Sequence, residues 1–107
     1  MKLINVTPHA ISVVGEDGAS VTLAPSGVVA RVATTRSDEV REGFRFTSTV
    51  FGAVEGLPSP QEGVVIVAST LVAQAARRPD VVSPDTGPTA LRENGQVVAV
   101  KGFQVFA

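Results

Sequence analysis

The sequence has no cysteine, no tryptophan and no tyrosine, and it has a single histidine, His9. Without cysteine the chain can form no disulfide, no thiolate nucleophile and no cysteine-ligated metal site. One histidine and scattered carboxylates match no metal-ligand spacing, so we expect neither a metal nor another cofactor. Imidazole-based catalysis could use only His9, for which we expect a structural or capping role.

A serine-type catalytic triad would have to place His9 beside Ser69 or Thr70. Its acidic member would be Asp80 or Asp85. The Gly-x-Ser-x-Gly motif that presents a nucleophilic serine does not occur in the sequence. Gly-Lys-Ser, Gly-Lys-Thr and the glycine-rich dinucleotide motif are missing as well, which argues against nucleotide hydrolysis. We therefore expect no catalytic residues.

An excess of either charge is also missing, because nine lysines and arginines oppose ten carboxylates and the formal net charge is −1. A balanced chain without tryptophan or tyrosine offers little basic surface and few stacking rings, so nucleic acid is disfavoured as a partner. No apolar run approaches the roughly 20 residues of a membrane span, and Asn5, Thr7 and Pro8 interrupt the N-terminal segment, unlike a signal peptide. We expect no membrane association, a cytoplasmic location and one domain spanning residues 1–107.

The stretch from Gly63 to Arg78 is the most informative part of the sequence. Val64 to Val67 is its longest β-branched run, and a short apolar run between turn signals predicts a strand covered on both faces. A helix is predicted to begin at Ser69 or Thr70, either of which can act as the N-cap, and to run to Arg78. The proline that follows Arg78 ends the helix.

Turn signals divide the rest of the chain into short β-type segments. Gly15 to Gly18 predicts one hairpin, and Asn94-Gly95 predicts another. Thr35 to Gly43 is charged and lacks a hydrophobic period, so we expect an exposed loop or a long hairpin tip, whereas the alternation from Phe44 to Phe51 predicts a half-buried strand. The fold class predicted is α+β and β-rich: a meander of about six to eight strands, curved into a small barrel-like sheet and closed by one short helix.

Asp85-Thr86-Gly87 spells the tripeptide of retroviral-type aspartic proteases. In those enzymes an apolar strand leads directly into the aspartate near the start of the chain. Here Pro84 and Pro88 flank the tripeptide, and only a short tail follows it. The alternative is an Asx-type turn in which the Asp85 carboxylate caps nearby N–H groups. We expect the turn.

A binding site is predicted where the central strand gives way to the helix, because N–H groups at a helix start can receive an anion. Neighbouring arginines would add charge, and the proline-flanked loops would form a rigid rim. The predicted ligand- or partner-binding residues are His9, Ser69, Thr70, Arg77, Arg78, Asp80, Asp85 and Thr86. Replacing Arg77 or Arg78 by alanine is expected to weaken binding and to change stability little.

Several segments together resemble a family of small uncharacterised proteins encoded by phages, prophages and actinobacteria. The resemblance spans nearly the whole chain and is carried by Asn5–Ala10, Pro25–Gly27, Val29–Val32, Phe51–Pro58, Ser69–Ala75, Pro84–Pro88 and Gly95-Gln96. It implies a phage or mobile-element origin and a location in the host cytoplasm. The family has no assigned activity, so the resemblance brings no functional residues.

The function expected from the sequence is that of a non-catalytic, phage-encoded accessory protein that binds a host protein or a small anionic ligand. A virion structural or head-decoration protein is the alternative, because a small cysteine-free β-rich domain suits that role equally well. An aspartyl-type hydrolase is the third interpretation. A homo-oligomer is compatible with each of them.

Overall fold

The computed structural model describes residues 1–107 and contains ten strands and one helix. In chain order these are β1 Lys2–Asn5, β2 Ile11–Val14, β3 Ser20–Leu23, β4 Arg31–Arg41, β5 Phe44–Glu55, β6 Val64–Val67, α1 Thr70–Ala76, β7 Val81–Pro84, β8 Leu91–Glu93, β9 Gln96–Ala99 and β10 Phe103–Val105. The helix has seven residues, and no helix of the chain is long and apolar enough to cross a membrane.

The central sheet has the strand order β1-β6-β7-β10. β1, β6 and β7 are parallel, with Asn5 beside Val67 and Val67 beside Val82, whereas β10 runs antiparallel to β7. The predicted strand Val64 to Val67 is confirmed as β6, inside this sheet. Parallel neighbours need a crossover connection, and α1 supplies it between β6 and β7.

Helix α1 begins as predicted, with Ser69 as its N-cap. The side-chain oxygen of Ser69 accepts a hydrogen bond from the Val72 N–H, which has no partner within the helix. The helix ends at Ala76 and not at Arg78, because Arg77 adopts the left-handed conformation at φ 50° and its N–H bonds to the Ala73 oxygen. Both arginines therefore lie beyond the last helical turn.

The hydrophobic core is small, since only 13 of the 107 residues are buried. Its central cluster joins the end of β1, the strand β6 and the inner face of α1. The cluster consists of Val6, Ala30, Ile66, Ala68, Val72, Ala73 and Val81. Val32 and Val54, at the base of the β4–β5 hairpin, pack against it from outside.

Three further pairs of strands form two-stranded hairpins: β2–β3, β4–β5 and β8–β9. The hairpins predicted at Gly15–Gly18 and at Asn94-Gly95 are confirmed, and the latter has positive φ at both residues, as its two-residue turn requires. The β-rich α+β class with one short helix is confirmed as well. The sheets are open and do not close into a barrel.

The β4–β5 hairpin, called the arm below, extends from Arg31 to Glu55. Thr35 to Gly43 belongs to it and is indeed exposed. The strand predicted from Phe44 to Phe51 is confirmed as part of β5, but the prediction that it is half-buried is wrong, because every one of these side chains is exposed. The arm gives the molecule extents of 53 × 36 × 23 Å and a radius of gyration of 16.1 Å.

Candidate functional site

The carboxyl ends of the three parallel strands meet at one edge of the central sheet, called the carboxyl edge below. β1 ends there at Asn5, β6 at Val67 and β7 at Pro84. The segments that follow these strands carry five predicted site residues, namely His9, Ser69, Thr70, Asp85 and Thr86. In open sheets with parallel strands, ligands bind outside the carboxyl ends of the strands, which makes this edge the candidate site.

Asn5 fixes the first of these loops. Its side chain is buried, and Nδ2 donates to the main-chain oxygens of His9 at 2.7 Å and Leu23 at 3.0 Å. Its Oδ1 accepts from the Thr7 N–H at 2.9 Å and from the Thr7 hydroxyl at 2.7 Å. These four bonds use the whole hydrogen-bonding capacity of the amide, so the position of His9 is determined by a rigid turn.

A cleft of about 330 Å³ opens at the carboxyl edge. It is lined by residues His9 to Ser12, by Pro84 and Thr86, and by Val97 to Val100. Two of the predicted site residues, His9 and Thr86, therefore face the same space although 77 positions separate them in the sequence. The imidazole of His9 is exposed at the cleft and makes no side-chain hydrogen bond, so no catalytic triad is formed with it.

The cleft lies where β2 and β9 separate. Val100, immediately after β9, makes the only backbone bonds between the two segments. Its N–H donates to the Ser12 oxygen at 2.9 Å, and its oxygen accepts from the Val14 N–H at 2.8 Å. Toward Ala10 and Val97 the two segments are not hydrogen-bonded to each other. The walls of the cleft therefore include unpaired strand backbone beside apolar side chains.

The helix start offers less to an anion than the sequence suggested. The Ser69 hydroxyl already caps the Val72 N–H at 3.3 Å. The Thr70 hydroxyl lies 3.5 Å from that of Ser83, a buried residue of β7. Both hydroxyl groups thus bond to other groups of this chain and not to a ligand.

Asp85 forms the Asx turn that the sequence predicts. Its Oδ1 accepts from the Gly87 N–H at 3.0 Å and from the Gln104 side chain at 3.3 Å. Arg92 closes the same loop from the other side by donating to the main-chain oxygens of Thr86 and Gly87. These bonds give the Asp85 carboxylate a structural role in holding Thr86 at the cleft.

Arg77, Arg78 and Asp80 do not share the site. They follow α1 and precede Val81, the first residue of β7, so they lie at the opposite end of the central sheet. Arg78 donates to Asp80 through Nε at 3.0 Å and through Nη2 at 2.7 Å, and Nη2 also reaches the Pro58 oxygen at 3.0 Å. The single rim predicted from these residues and the helix start is therefore not formed.

The electrostatics of Asp80 agree with this structural role. The hydrogen bonds from Arg78 are the main cause that holds the pKa of the Asp80 carboxyl below its usual value. Partial burial opposes the shift, and the arginine charge adds to it. The pair ties the proline-containing loop at Pro58 to the start of β7.

Arg77 lines a different cleft, of about 320 Å³, between α1 and the base of the arm. Phe51, Gln74, Ala75 and Phe106 complete its walls. This cleft and the carboxyl-edge cleft have no lining residue in common. Elsewhere in the chain, no group of three or more histidines and carboxylates converges.

Two features of the site were missed by sequence reasoning. Asn5 has a recognisable signal, because an asparagine two positions before a threonine often forms an Asx turn. Val97 and Val98 have none, since their place at the cleft depends on how the β8–β9 hairpin folds back toward β2. Comparisons with protein-family models, with curated proteins and with solved structures gave no match.

Proposed function

We propose that this chain is a non-catalytic binding module that holds an extended segment of a partner protein in the cleft between β2 and β9. The observation that carries the proposal is the cleft itself, which gathers the His9 turn, the Thr86 loop and the C-terminal hairpin at the carboxyl edge. The two loops are rigid before binding, because Asn5 and Asp85 fix them by hydrogen bonds. Preorganised loops lose little entropy when a ligand binds.

The chemistry of the cleft favours a peptide. Six of its ten lining residues are hydrophobic, and unpaired strand backbone runs beside them. An extended segment can bond to such backbone while its alternate side chains enter apolar space, which is the usual mode of strand addition. His9, Ser12 and Thr86 are the polar residues of the lining that can orient it.

A small anionic ligand has less support at this position. No lysine or arginine lines the cleft, and Arg78 is bonded to Asp80 at the other end of the sheet. We therefore infer that the partner is a protein. The resemblance to phage-encoded proteins implies the host cytoplasm as the place of binding, and we propose a host protein as that partner.

Selection of short random peptides displayed on a surface tests the proposal without a known partner. Enriched peptides should bind the wild-type protein and lose at least about tenfold in affinity, or 1.4 kcal/mol, to the Val98→Glu variant. Val98 is 47% exposed and lines the cleft, so a carboxylate there would meet the apolar side chains of the peptide. Titration calorimetry measures the affinities.

Val21→Glu is the matched control. Val21 is 55% exposed on β3 and does not line the cleft, so the same charge change should leave peptide affinity unchanged. Failure to enrich any peptide, or peptides that bind Val98→Glu as well as the wild type, would contradict the proposal.

A virion structural or decoration protein is the second candidate, and the arm favours it. A protruding hairpin with exposed apolar side chains is suited to contacts between subunits of an assembly. Mass spectrometry of purified particles distinguishes the two roles. A virion component is present in particles at a fixed copy number, whereas an accessory protein is found only in the lysate of infected cells.

A further inference from the structure

The arm has two outer edges that differ in charge. β4 carries four charged side chains within six residues, namely Arg36, Asp38, Glu39 and Arg41. β5 carries none from Phe46 to Val54. Charged side chains are a common means by which proteins prevent a free strand edge from pairing with another chain. By this criterion the edge of β4 is protected and the edge of β5 is not.

The unprotected edge of β5 is also long and open. The arm forms a sheet of two strands only, and no further backbone bond reaches β5 from the rest of the chain. Phe44 is 71% exposed and Val50 is 63% exposed. An isolated two-stranded hairpin is at best marginally stable in water, so further strands would stabilise the arm.

The turn of the arm determines which backbone groups of β5 are free. Glu42 and Gly43 have φ values of 51° and 82°, as in a two-residue type I′ turn. This turn makes Arg41 and Phe44 a hydrogen-bonded pair, and the alternation continues to Ser37 and Ser48. The N–H and C=O groups of the odd-numbered β5 residues, Arg45 to Phe51, therefore point away from β4.

We propose that the arm pairs with the arm of a second copy of this chain, with the two β5 strands antiparallel about a two-fold axis at Ser48. In this register Thr47 faces Thr49 of the other copy, and Arg45 faces its Phe51. The backbone groups of these four residues are free. The pair Thr47–Thr49 and the pair Arg45–Phe51 can therefore each be hydrogen-bonded, on both sides of the axis. The two arms become one four-stranded antiparallel sheet.

The side chains match in the same register. Phe46 lies opposite Val50 of the second copy on both sides of the axis, and aromatic with β-branched residues are favourable cross-strand pairs. A shift of the axis by one residue in either direction would instead set Ser48 against Phe46 or against Val50. Self-pairing about Ser48 thus brings the apolar residues of β5 together.

The charges of the arm are self-complementary as well. From Arg31 to Glu55 there are four arginines and four carboxylates, so two arms meet without net repulsion. The only charge in the pairing segment is Arg45, which would lie beside the Phe51 ring and not beside a like charge. The arm already contains such a contact, since the Arg41 guanidinium lies 4.1 Å from the Phe46 ring centre. None of these residues lines the carboxyl-edge cleft.

Cysteine cross-linking tests the register directly, because the chain has no cysteine of its own. At the axis the two Ser48 residues form a non-hydrogen-bonded pair with Cα atoms about 4.5 Å apart. That distance lies within the roughly 4.4 to 6.8 Å range of disulfides. Ser48→Cys should therefore oxidise rapidly to a covalent dimer. Ser37→Cys, on the same face and directly opposite in the same arm, is the matched control and should stay monomeric under the same conditions.

Sedimentation equilibrium over a wide range of protein concentration provides the second measurement. The wild type should dimerise, and Ser48→Lys should raise the dissociation constant by at least about 100-fold, because two like charges then meet at the axis. Ser37→Lys should leave dimerisation unchanged. A monomeric wild type with equally slow oxidation of both cysteine variants would overturn the proposal. Faster oxidation of Ser37→Cys, or disruption by Ser37→Lys alone, would overturn it in favour of the β4 edge.

Discussion

Arg78 and Asp80 form the closest ion pair in the chain, and their role is structural. The guanidinium bonds to both carboxylate oxygens and to the Pro58 main-chain oxygen, so no N–H group on Nε or Nη2 points to a ligand. Both side chains are mostly shielded from water, which strengthens charge-assisted hydrogen bonds. Replacing Arg78 should therefore lower stability, contrary to the expectation from sequence that it would affect binding alone.

Asp80→Asn should lower the free energy of unfolding near neutral pH by about 1 to 3 kcal/mol. Because the pKa of Asp80 is lower in the folded chain, its stabilisation is complete above the pKa of an unfolded aspartate, about 3.9, and is lost as the pH falls through the folded value. The difference between wild type and variant should shrink over that range. Urea unfolding followed by circular dichroism at several pH values measures it.

Glu39→Gln is the matched control. It removes the other ion pair, Arg41–Glu39, whose atoms are 3.7 Å apart and whose side chains are exposed. Exposed pairs contribute about 0 to 1 kcal/mol, so this change should be small at every pH. An Asp80→Asn effect that is no larger, or that persists undiminished in acid, would show that the carboxylate does not act as described.

At the scale of elements, the exit of the arm depends on Gly56. This residue follows β5 at φ 87°, and a Cβ atom there would lie 2.8 Å from the Val29 oxygen and 3.1 Å from the Ala30 Cα. The backbone at this position passes close to the segment before β4. The chain can thus turn from the arm toward Leu57 only if this residue has no side chain. Ala30 belongs to the core cluster, so the arm and the core meet at this point.

Gly56→Ala should destabilise the protein by about 2 to 4 kcal/mol, since it combines an unfavourable positive φ with a backbone clash. Gly43→Ala is the control, because Gly43 also has positive φ, at 82°, but has open space around it. The control should lose only about 1 kcal/mol. The midpoints of urea unfolding give both values, and equal losses would mean that the close approach to Val29 has no energetic consequence.

At the scale of the whole molecule, the arm and the core are nearly independent. The radius of gyration, 16.1 Å, exceeds the roughly 13 Å of a compact domain of this size. No residue between Ala33 and Ala53 is buried. The arm therefore extends the molecule while burying little of its own surface.

Replacing Arg36 to Thr49 by Asn-Gly should leave the rest of the chain folded. Thr35 and Val50 are paired across the arm, so the new two-residue turn continues the existing register. The thermal midpoint measured at low protein concentration should change by only a few degrees, because the core cluster is intact. X-ray scattering should show the radius of gyration falling toward about 13 Å. Loss of cooperative unfolding would show that the arm is needed for the core.

The sequence alone determined the elements whose causes are local. The β-branched run of β6, the Ser69 cap, the Asn94-Gly95 turn and the Asx turn at Asp85 depend on residues within a few positions of one another. Each was therefore predictable from conformational preference and short-range hydrogen bonding. The β-rich class followed from their sum.

Which elements meet depends on contacts between distant parts of the chain. The parallel pairing of β1 with β6 joins Lys2 to Val64, and no local preference specifies a partner so distant in the chain. That pairing gathers His9 and Thr86 at one edge and sends Arg77, Arg78 and Asp80 to the other. Alternation from Phe44 to Phe51 showed an apolar face but not what covers it, because alternation is identical for a strand packed on its own core and for one that protrudes.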